Sequence, residues 1–328
     1  MNKIKDKLFD WMANNHSIIN LLIIIAAIHI LLALLSGYIS NSPVPFADEW
    51  DGNINFLKRI AESDFGVWFS QHNEHRIVIT RFLFLINAWL FQGSNAPLVI
   101  VNYFLAFASF AVFLLFINAE FKGRESNIDK FNKQFTSITS LILASVIGLL
   151  SVVSMANGVI TLPIMALMSL FLRISWRRSL ILILLSVLMI QLFFHGHQSP
   201  NGISPFQSIL NNPFGILLYV INYFGSPFAQ IGGKLLAQIC SVTFLVGCLF
   251  ALIRYYKDSN KSAFAFALLF FIIFVGATAS VTAAGRIVFG TDQAFTSRYS
   301  TPVLMAYVAL LIFYIHYISR LLEKIFRL

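Results

Sequence analysis

The sequence contains few charged side chains: of its 328 residues, 23 are Lys or Arg and 14 are Asp or Glu. A soluble globular chain carries roughly 25% charged residues, whereas this chain carries 11%. So few charges cannot cover a water-facing surface, which excludes a soluble enzyme, and the 58% hydrophobic content excludes a disordered chain. Cysteine is also scarce. Cys240 and Cys248 share one apolar run, and a helix would separate them by about 12 Å, too far for a disulfide. The composition therefore indicates a polytopic membrane protein.

Long apolar runs predict eight transmembrane helices, and we predict a single all-α membrane domain over residues 1–328. The predicted spans are 17–39, 97–118, 136–154, 159–174, 179–194, 235–255, 262–283 and 300–318. Residues 77–92 are apolar but short, and we predict that they lie at the outer membrane interface. If they crossed, the basic loops could not all share one side. The segment 206–230 is interrupted by Pro and Gly and is predicted to be interfacial or re-entrant.

The positive-inside rule then predicts that both termini are cytoplasmic, because most basic residues fall on their side of the membrane. The net charge of +9 is accordingly a signal of topology and not of nucleic-acid binding. The external loops are predicted at 40–96, 195–234 and 284–299, and each carries polar residues of interest.

The first external loop begins with three carboxylates within four residues, Asp48, Glu49 and Asp51. Carboxylates so close together raise one another's pKa, so Asp48 or Glu49 is a candidate general base. The three could also hold a divalent cation through oxygen ligands. Helix capping by Asp48 is the structural alternative, but a cap would explain one acid and not three.

A second cluster in that loop combines two imidazoles, a carboxylate and two guanidinium groups: His72, Glu74, His75, Arg76 and Arg81. On a helix, His72 and His75 would share a face, as a metal pair or a proton relay requires. A zinc site would need a further ligand, from Glu74 or from His195 and His197. The spacing matches no standard zinc signature, so hydrogen bonding to an anionic group is the favoured interpretation. Polar residues that simply wet a loop are the alternative.

The third external loop carries Arg286, Ser297, Arg298 and Tyr299 near the ends of the last two predicted spans. Arginine at such positions can extend to lipid headgroups. The functional interpretation is a clamp on a phosphate, for which the guanidinium group is well suited.

These features resemble the GT-C superfamily of integral-membrane glycosyltransferases, which use polyprenyl-phosphate-linked sugars. The resemblance lies in the acidic motif after the first span, the interfacial helices before the second span, and the helical membrane domain. The motifs H-N-E-H-R and G-R-I-V-F-G-T-D-Q-A-F-T-S-R-Y also look like those of uncharacterised bacterial membrane proteins grouped with surface-polysaccharide genes.

The resemblance implies roles for particular residues. Asp48 or Glu49 would deprotonate the acceptor hydroxyl, and Arg286 and Arg298 would hold the lipid phosphate. His72, Glu74 and His75 would line the donor sugar. The remaining substrate-binding candidates are Asp51, Arg76, Arg81 and Tyr299.

The resemblance also implies a setting, the bacterial inner membrane with the active site on the periplasmic side. The expected partners are the lipid bilayer, a polyprenyl-phosphate-linked sugar, a glycan or lipid acceptor, and a sugar synthase or flippase of the same pathway. Two other classes remain open. One is a lipid flippase or transporter, and the other is a membrane acyl- or phosphotransferase with His72 or His75 as its base.

Overall fold

The computed structural model describes residues 16–40, 42, 44, 48–121, 137–198, 202–258 and 261–326. Within these ranges the regular secondary structure is helical, apart from one isolated antiparallel bridge between His72 and His75. The α-helices are α1 (His16–Ile39), α2 (Asn55–Ala61), α3 (Val78–Phe91), α4 (Ala96–Phe121), α5 (Ile138–Val152), α6 (Thr161–Phe171), α7 (Trp176–Phe194), α8 (Pro205–Asn211), α9 (Pro213–Lys257), α10 (Ala263–Arg286) and α11 (Ser300–Phe326). Short 3-10 or π-helical turns cover Trp50–Ile54, Phe65–Phe69, Ala156–Ile160, Ile287–Phe289, Thr291–Phe295 and Ser297–Tyr299.

Six of the described helices are long and apolar enough to cross a membrane, so the chain is an all-helical protein of the membrane-embedded type. They are His16–Ile39, Ala96–Asn118, Trp176–Phe194, Pro213–Lys257, Ala263–Phe289 and Ser297–Ile318. The predicted spans 136–154 and 159–174 correspond to α5 and α6, which have 15 and 11 residues. At ~1.5 Å per residue these helices reach about 22 and 17 Å, less than the ~30 Å of a bilayer core. The count of eight spans stays a prediction.

The described residues divide into two compact units, which we treat separately. The first unit comprises the described residues within Met1–Trp68, Thr80–Arg124 and Tyr317–Leu328, and the second those within Phe69–Ile79 and Glu125–His316. In the first unit, α1 and α4 expose their apolar side chains, as helices that face lipid do. They meet where Gly37 leaves room for the ring of Tyr103, whose hydroxyl donates to the carbonyl of Ala33.

The second unit is built around α10, whose apolar stretch is 56% buried. Its enclosed face is rich in small side chains, including Ala265, Ala279 and Ala283, none of which has measurable exposure. Small residues let neighbouring helix backbones approach closely, which is how helices pack where lipid removes the hydrophobic driving force. The helix α10 therefore forms the centre of this unit.

The helix α9 is two helical segments joined at Gly232 and Gly233, where the backbone leaves helical geometry. Gly233 has a φ of +71°, a conformation that glycine adopts without strain. The amide of Gln238 donates to the side-chain carbonyl of Asn222 at 2.9 Å, although a straight helix would hold these residues about 24 Å apart. The segment 213–231, which overlaps the predicted interfacial stretch, thus folds back on 234–257 as a helical hairpin.

The loops of the second unit lie in two groups, one near each end of the helix α10. Leu172, Ile174, Tyr255 and Phe266 pack together, which brings the basic loop after α6 beside the basic loop after α9. The helix α10 runs from this cluster to Arg286, a length of about 30 Å. Loops predicted from sequence to lie on the external side gather at that far end, around the cavity described next. The alternation of loops in this unit agrees with the predicted topology, and which end faces the cytoplasm stays a prediction.

Candidate functional site

The H-N-E-H-R motif forms a tight turn and not the helix assumed for the histidine pair. The backbone N–H groups of His72 and His75 each donate to the other residue's carbonyl at 2.8 Å. Asn73, at the tip, has a φ of +49°, which asparagine tolerates better than most residues. His72 and His75 therefore face each other across a turn and are not one helical turn apart. Opposed residues of an antiparallel pair still direct their side chains to one face, so the two imidazoles remain neighbours.

Two side chains flanking this turn attach it to the end of α7. The side-chain amide of Gln71 donates to the carbonyl of Gln198 and accepts from its backbone N–H. The guanidinium of Arg76 donates to the carbonyls of Phe69, Phe193 and His195. Arg76 thus satisfies carbonyls at the C-terminus of α7, where a cation is electrostatically favourable. Arg76 therefore anchors the loop through these hydrogen bonds. From the sequence it is a candidate for binding substrate.

We expect Arg76→Gln to destabilise the protein by about 2 kcal/mol, because it removes charge-assisted hydrogen bonds to three carbonyls. Thermal unfolding of the purified protein in detergent measures the effect. The matched control is Asp292→Asn, which breaks an exposed ion pair with Lys234 and should cost less than about 1 kcal/mol. Equal effects of the two substitutions would contradict the anchoring role of Arg76.

The turn presents Glu74 and His75 to a cavity of about 100 Å³ within the second unit. Its polar wall includes Glu74, His75, Asn157, Thr282, Arg286, Arg298, Tyr299 and His197. Apolar side chains from the ends of α7 and α10 complete the wall, among them Phe193, Phe194 and Val281. Polar groups therefore converge at one end of apolar helices, where a ligand with an apolar part and a charged part could be held.

Glu74 and Arg286 form an ion pair on this wall. Their side chains are only 23% and 18% exposed, so solvent screens the pair incompletely. Burial is the largest single influence on the pKa of the Glu74 carboxyl and raises it, but the charge of Arg286, a backbone hydrogen bond, His75 and a hydrogen bond from Arg286 together outweigh burial. The net result is a pKa below the ordinary value, so Glu74 is ionised at neutral pH.

His75 is held as a neutral imidazole. Burial lowers its pKa and the charge of Glu74 opposes this, while Arg286, His72 and Arg298 add to the lowering. The backbone N–H of Ala156 donates to Nδ1 of His75 at 3.2 Å. An Nδ1 that accepts a hydrogen bond cannot carry the proton, so the neutral ring has its proton on Nε2. His75 is thus a hydrogen-bond donor to a ligand and not a ready base at Nε2.

The third predicted loop contributes the remaining cations and hydroxyls. Arg298 is exposed and lies over the ring of Tyr299, with 6.0 Å from its guanidinium carbon to the ring centre. Tyr299 is buried and stacks on Tyr223 with ring centres 4.6 Å apart. The structure brings Arg286, Arg298 and Tyr299 to the same cavity as Glu74 and His75, as the sequence interpretation required.

Two polar lining residues were missed from the sequence, Asn157 and Thr282. Thr282 is one helical turn before Arg286 on α10, so its i,i+4 spacing could have identified it. Its side chain is 8% exposed, and its hydroxyl has no hydrogen-bond partner among the described residues. Asn157 lies in the 3-10 turn Ala156–Ile160 and gives no comparable signal in the sequence. Of the proposed zinc ligands His195 and His197, only His197 lines the cavity.

The acidic motif belongs to the first unit. Asp48 and Asp51 are exposed, and Glu49 is half-buried with Oε2 3.5 Å from the amide nitrogen of Asn95. Glu49 is the residue before the π-helical turn Trp50–Ile54, and its side chain makes no capping hydrogen bond. A side-chain cap therefore does not account for Glu49, and capping by Asp48 stays the structural alternative for that residue.

A divalent cation at Asp48, Glu49 and Asp51 stays a prediction. Among the described residues, no group of three or more His, Cys, Asp or Glu side chains is arranged to hold a metal ion.

Arg81 also belongs to the first unit. It is 3% exposed, donates to the carbonyl of Trp68 at 3.1 Å, and lies 5.7 Å from the ring centre of Phe56. The rings of Phe56 and Trp68 pack edge to face. Arg81 is therefore a buried contact between α3 and the segment before it, which gives it a structural task in addition to any predicted role in binding substrate.

Comparisons with protein-family models, curated proteins and solved structures found no match for this chain. The class of protein is thus defined by the helical membrane fold and by the cavity itself. The GT-C resemblance enters below as a proposal.

Proposed function

We propose that this protein is an integral-membrane glycosyltransferase that moves a sugar from a polyprenyl-phosphate donor to a glycan or lipid acceptor. The observation that carries the proposal is the cavity in which Arg286, Arg298, Glu74 and His75 converge at the ends of apolar helices. A donor of this class has a long apolar chain and an anionic phosphate. It therefore needs apolar surface and cations at one place.

The phosphate is the group that the two arginines suit best. Guanidinium groups bind phosphate oxygens in bidentate geometry and keep their charge at any physiological pH. The Nε2–H of His75 and the hydroxyl of Thr282 add uncharged donors to the same wall. These groups would stabilise the charge that develops on the phosphate as it leaves the sugar.

Transfer also requires removal of a proton from the acceptor hydroxyl. In the overall reaction, the acceptor oxygen bonds to the sugar carbon, and the bond between that carbon and the phosphate oxygen breaks. The electron pair of the broken bond goes to the phosphate, and the acceptor proton goes to a base. The GT-C resemblance assigns the base to Asp48 or Glu49, and the exposure of Asp48 is compatible with that role.

The rival classes fit the cavity less well. Coupled ion transport needs ionisable residues deep in the membrane, yet the only Asp, Glu, Lys or Arg residues within the eight predicted spans are Arg173 and Arg254, each next to the end of its span. An acyl- or phosphotransferase would need His72 or His75 as its base, whereas Nδ1 of His75 already accepts a hydrogen bond from Ala156 and His72 does not line the cavity. A lipid flippase remains the second candidate, because the same cavity could hold a lipid phosphate without transferring its sugar.

The proposed location follows the predicted topology. We propose that the chain lies in a bacterial inner membrane with its basic loops in the cytoplasm and the cavity on the periplasmic side. The products of such an enzyme would be surface polysaccharides or related glycolipids. A polyprenyl-phosphate sugar synthase and a flippase would supply the donor on that side.

The test is a transfer assay in proteoliposomes with radiolabelled polyprenyl-phosphate sugars and a cell-envelope acceptor extract. We expect wild type to release polyprenyl phosphate and to label the acceptor. Arg298→Gln, and the double variant Asp48→Asn with Glu49→Gln, should each lose about 100-fold in rate, because one removes a phosphate donor group and the other removes the base.

Asp292→Asn is the control, since its ion pair with Lys234 is exposed and Asp292 does not line the cavity. It should retain full activity. Wild-type protein that transfers no sugar from any donor tested, or an Arg298→Gln variant as active as Asp292→Asn, would refute the proposed function. Movement of the intact donor between leaflets without transfer would establish the flippase instead.

A further inference from the structure

Arg286, the less exposed of the two arginines that line the cavity, already has an anionic partner within the chain. Glu74 pairs with it on the cavity wall, and both side chains are largely withdrawn from solvent. An anion that binds Arg286 from outside would approach the position that the Glu74 carboxylate occupies. Two anions at one guanidinium in a partly buried site repel strongly, because screening there is weak.

A second observation at the same place also indicates an external ligand. The Thr282 hydroxyl, one turn before Arg286, is 92% buried with its residue and has no hydrogen-bond partner among the described residues. A buried hydroxyl without a partner costs free energy, and a ligand oxygen in the cavity would satisfy it. The cavity thus has a donor group that Glu74 does not use.

We propose that Glu74 is a built-in competitor for the anion site, so that a phosphate ester, either the diester of the donor or the polyprenyl phosphate that it releases, displaces it from Arg286 and Glu74 takes up a proton as it is displaced. This inference rests on the proposed function in one respect, that the incoming anion is the phosphate of the lipid donor. It adds that binding the donor is coupled to protonation of the protein.

The charges around Glu74 give the direction of the coupling. Arg286 is the main cause of its low pKa, and burial acts in the opposite direction. Once a phosphate neutralises Arg286, burial and the new negative charge both favour the protonated carboxyl. The other titratable or charged groups near the pair are His75, which is neutral, His72 and Arg298, and the positive charge of Arg298 opposes the rise in the pKa of Glu74.

The proton balance is simple. The Glu74 carboxylate and one proton from solvent become a carboxylic acid, while the phosphate keeps its own charge. Since a proton is taken up on binding, the affinity for the anion should rise as the pH falls. Glu74 thereby holds Arg286 in place between substrates and avoids an uncompensated cation in the cavity.

Isothermal titration with farnesyl phosphate as the probe tests the competition. If Glu74 occupies Arg286 more than about nine-tenths of the time, Glu74→Gln should bind the probe roughly tenfold more tightly than wild type. A purely structural ion pair would give the opposite result, since its loss would loosen the site and weaken binding. The control Asp292→Asn should bind as wild type does.

A second measurement needs no variant. Titration of wild type with inorganic sulfate, which does not change its protonation near neutral pH, is repeated in two buffers that differ in heat of ionisation. The difference between the two heats gives the protons taken up, and we expect a positive fraction of a proton for each sulfate bound. This uptake should disappear in Glu74→Gln.

Farnesyl phosphate that binds wild type measurably but binds Glu74→Gln no more tightly, or no proton uptake by wild type, would overturn the inference. Tighter binding by the variant without sugar transfer by wild type would support the inference and refute the proposed function. Sugar transfer by wild type without tighter binding by the variant would support the proposed function and refute the inference. Binding of inorganic phosphate with the same dependence on Glu74, but not of farnesyl phosphate, would support the competition and identify the ligand as free phosphate.

Discussion

Gly158→Ala should destabilise the protein by about 3 kcal/mol and abolish binding of farnesyl phosphate. A Cβ at this position would lie 1.8 Å from the backbone oxygen of Ser151 and 2.2 Å from its carbonyl carbon. Backbone atoms cannot rotate away as a side chain can, so α5 and the turn Ala156–Ile160 would have to separate. The hydrogen bond from the Ser151 hydroxyl to the Gly158 carbonyl, 3.2 Å long, crosses this contact and would weaken with it.

The effect should reach the cavity because Gly158 follows Ala156 and Asn157 in the same turn. Ala156 donates the hydrogen bond that fixes the His75 tautomer, and both residues line the cavity. Thermal unfolding in detergent should show a midpoint lowered by about 4 °C. Titration with farnesyl phosphate below that midpoint measures the loss of binding.

The matched control is Gly276→Ala on α10. A Cβ there would meet no atom within 4 Å, and alanine has the higher helix propensity. We expect this variant to unfold at the same temperature as wild type or a higher one. Gly158→Ala with a midpoint equal to that of Gly276→Ala would show that the close contact between α5 and the turn is absent from the folded protein.

Arg286→Gln should abolish sugar transfer and also destabilise the protein by about 2 kcal/mol. The first effect has the larger magnitude, about 100- to 1,000-fold, because the guanidinium is the best-placed group to stabilise charge on the leaving phosphate. The second arises because Glu74 would be left 23% exposed with its main counter-charge removed. The same assay and unfolding measurement used above apply.

The double variant Glu74→Gln with Arg286→Gln separates these two effects. It replaces a half-buried ion pair by two neutral amides, so most of the lost stability should return. Sugar transfer should stay absent, because the phosphate-binding cation is still missing. Recovery of transfer in the double variant would show that Arg286 serves only to neutralise Glu74.

Several elements could be predicted from the sequence because they depend on local composition. The helices α1, α4, α7, α10 and α11 lie close to their predicted spans, since long apolar runs can satisfy their backbone in lipid only as helices. Most of the polar groups of the cavity, though not Asn157 and Thr282, could also be predicted, because charged residues are so rare in this chain that each cluster is conspicuous. Glu74, His75, Arg286, Arg298 and Tyr299 were all identified in this way.

The separate tasks of neighbouring residues could not be predicted. Glu74 and Arg76 are two positions apart and equally polar, yet one lines the cavity and the other holds the end of α7. Their difference depends on which distant carbonyl or cation each side chain meets after folding. The hairpin at Gly232 and Gly233 was hidden for a similar reason, since two glycines in an apolar run do not show whether the chain continues or reverses.

The sequence by itself determined the class of this protein, because the shortage of charge and the length of its apolar runs leave a helical membrane protein as the stable arrangement. It also determined which few residues could perform chemistry. Only the tertiary structure decided that Glu74 meets Arg286, that His75 accepts from Ala156, and that Thr282 shares their cavity. The physical reason is that partners and burial are set by contacts between segments far apart in the chain, and the protonation states of Glu74 and His75 follow from those contacts.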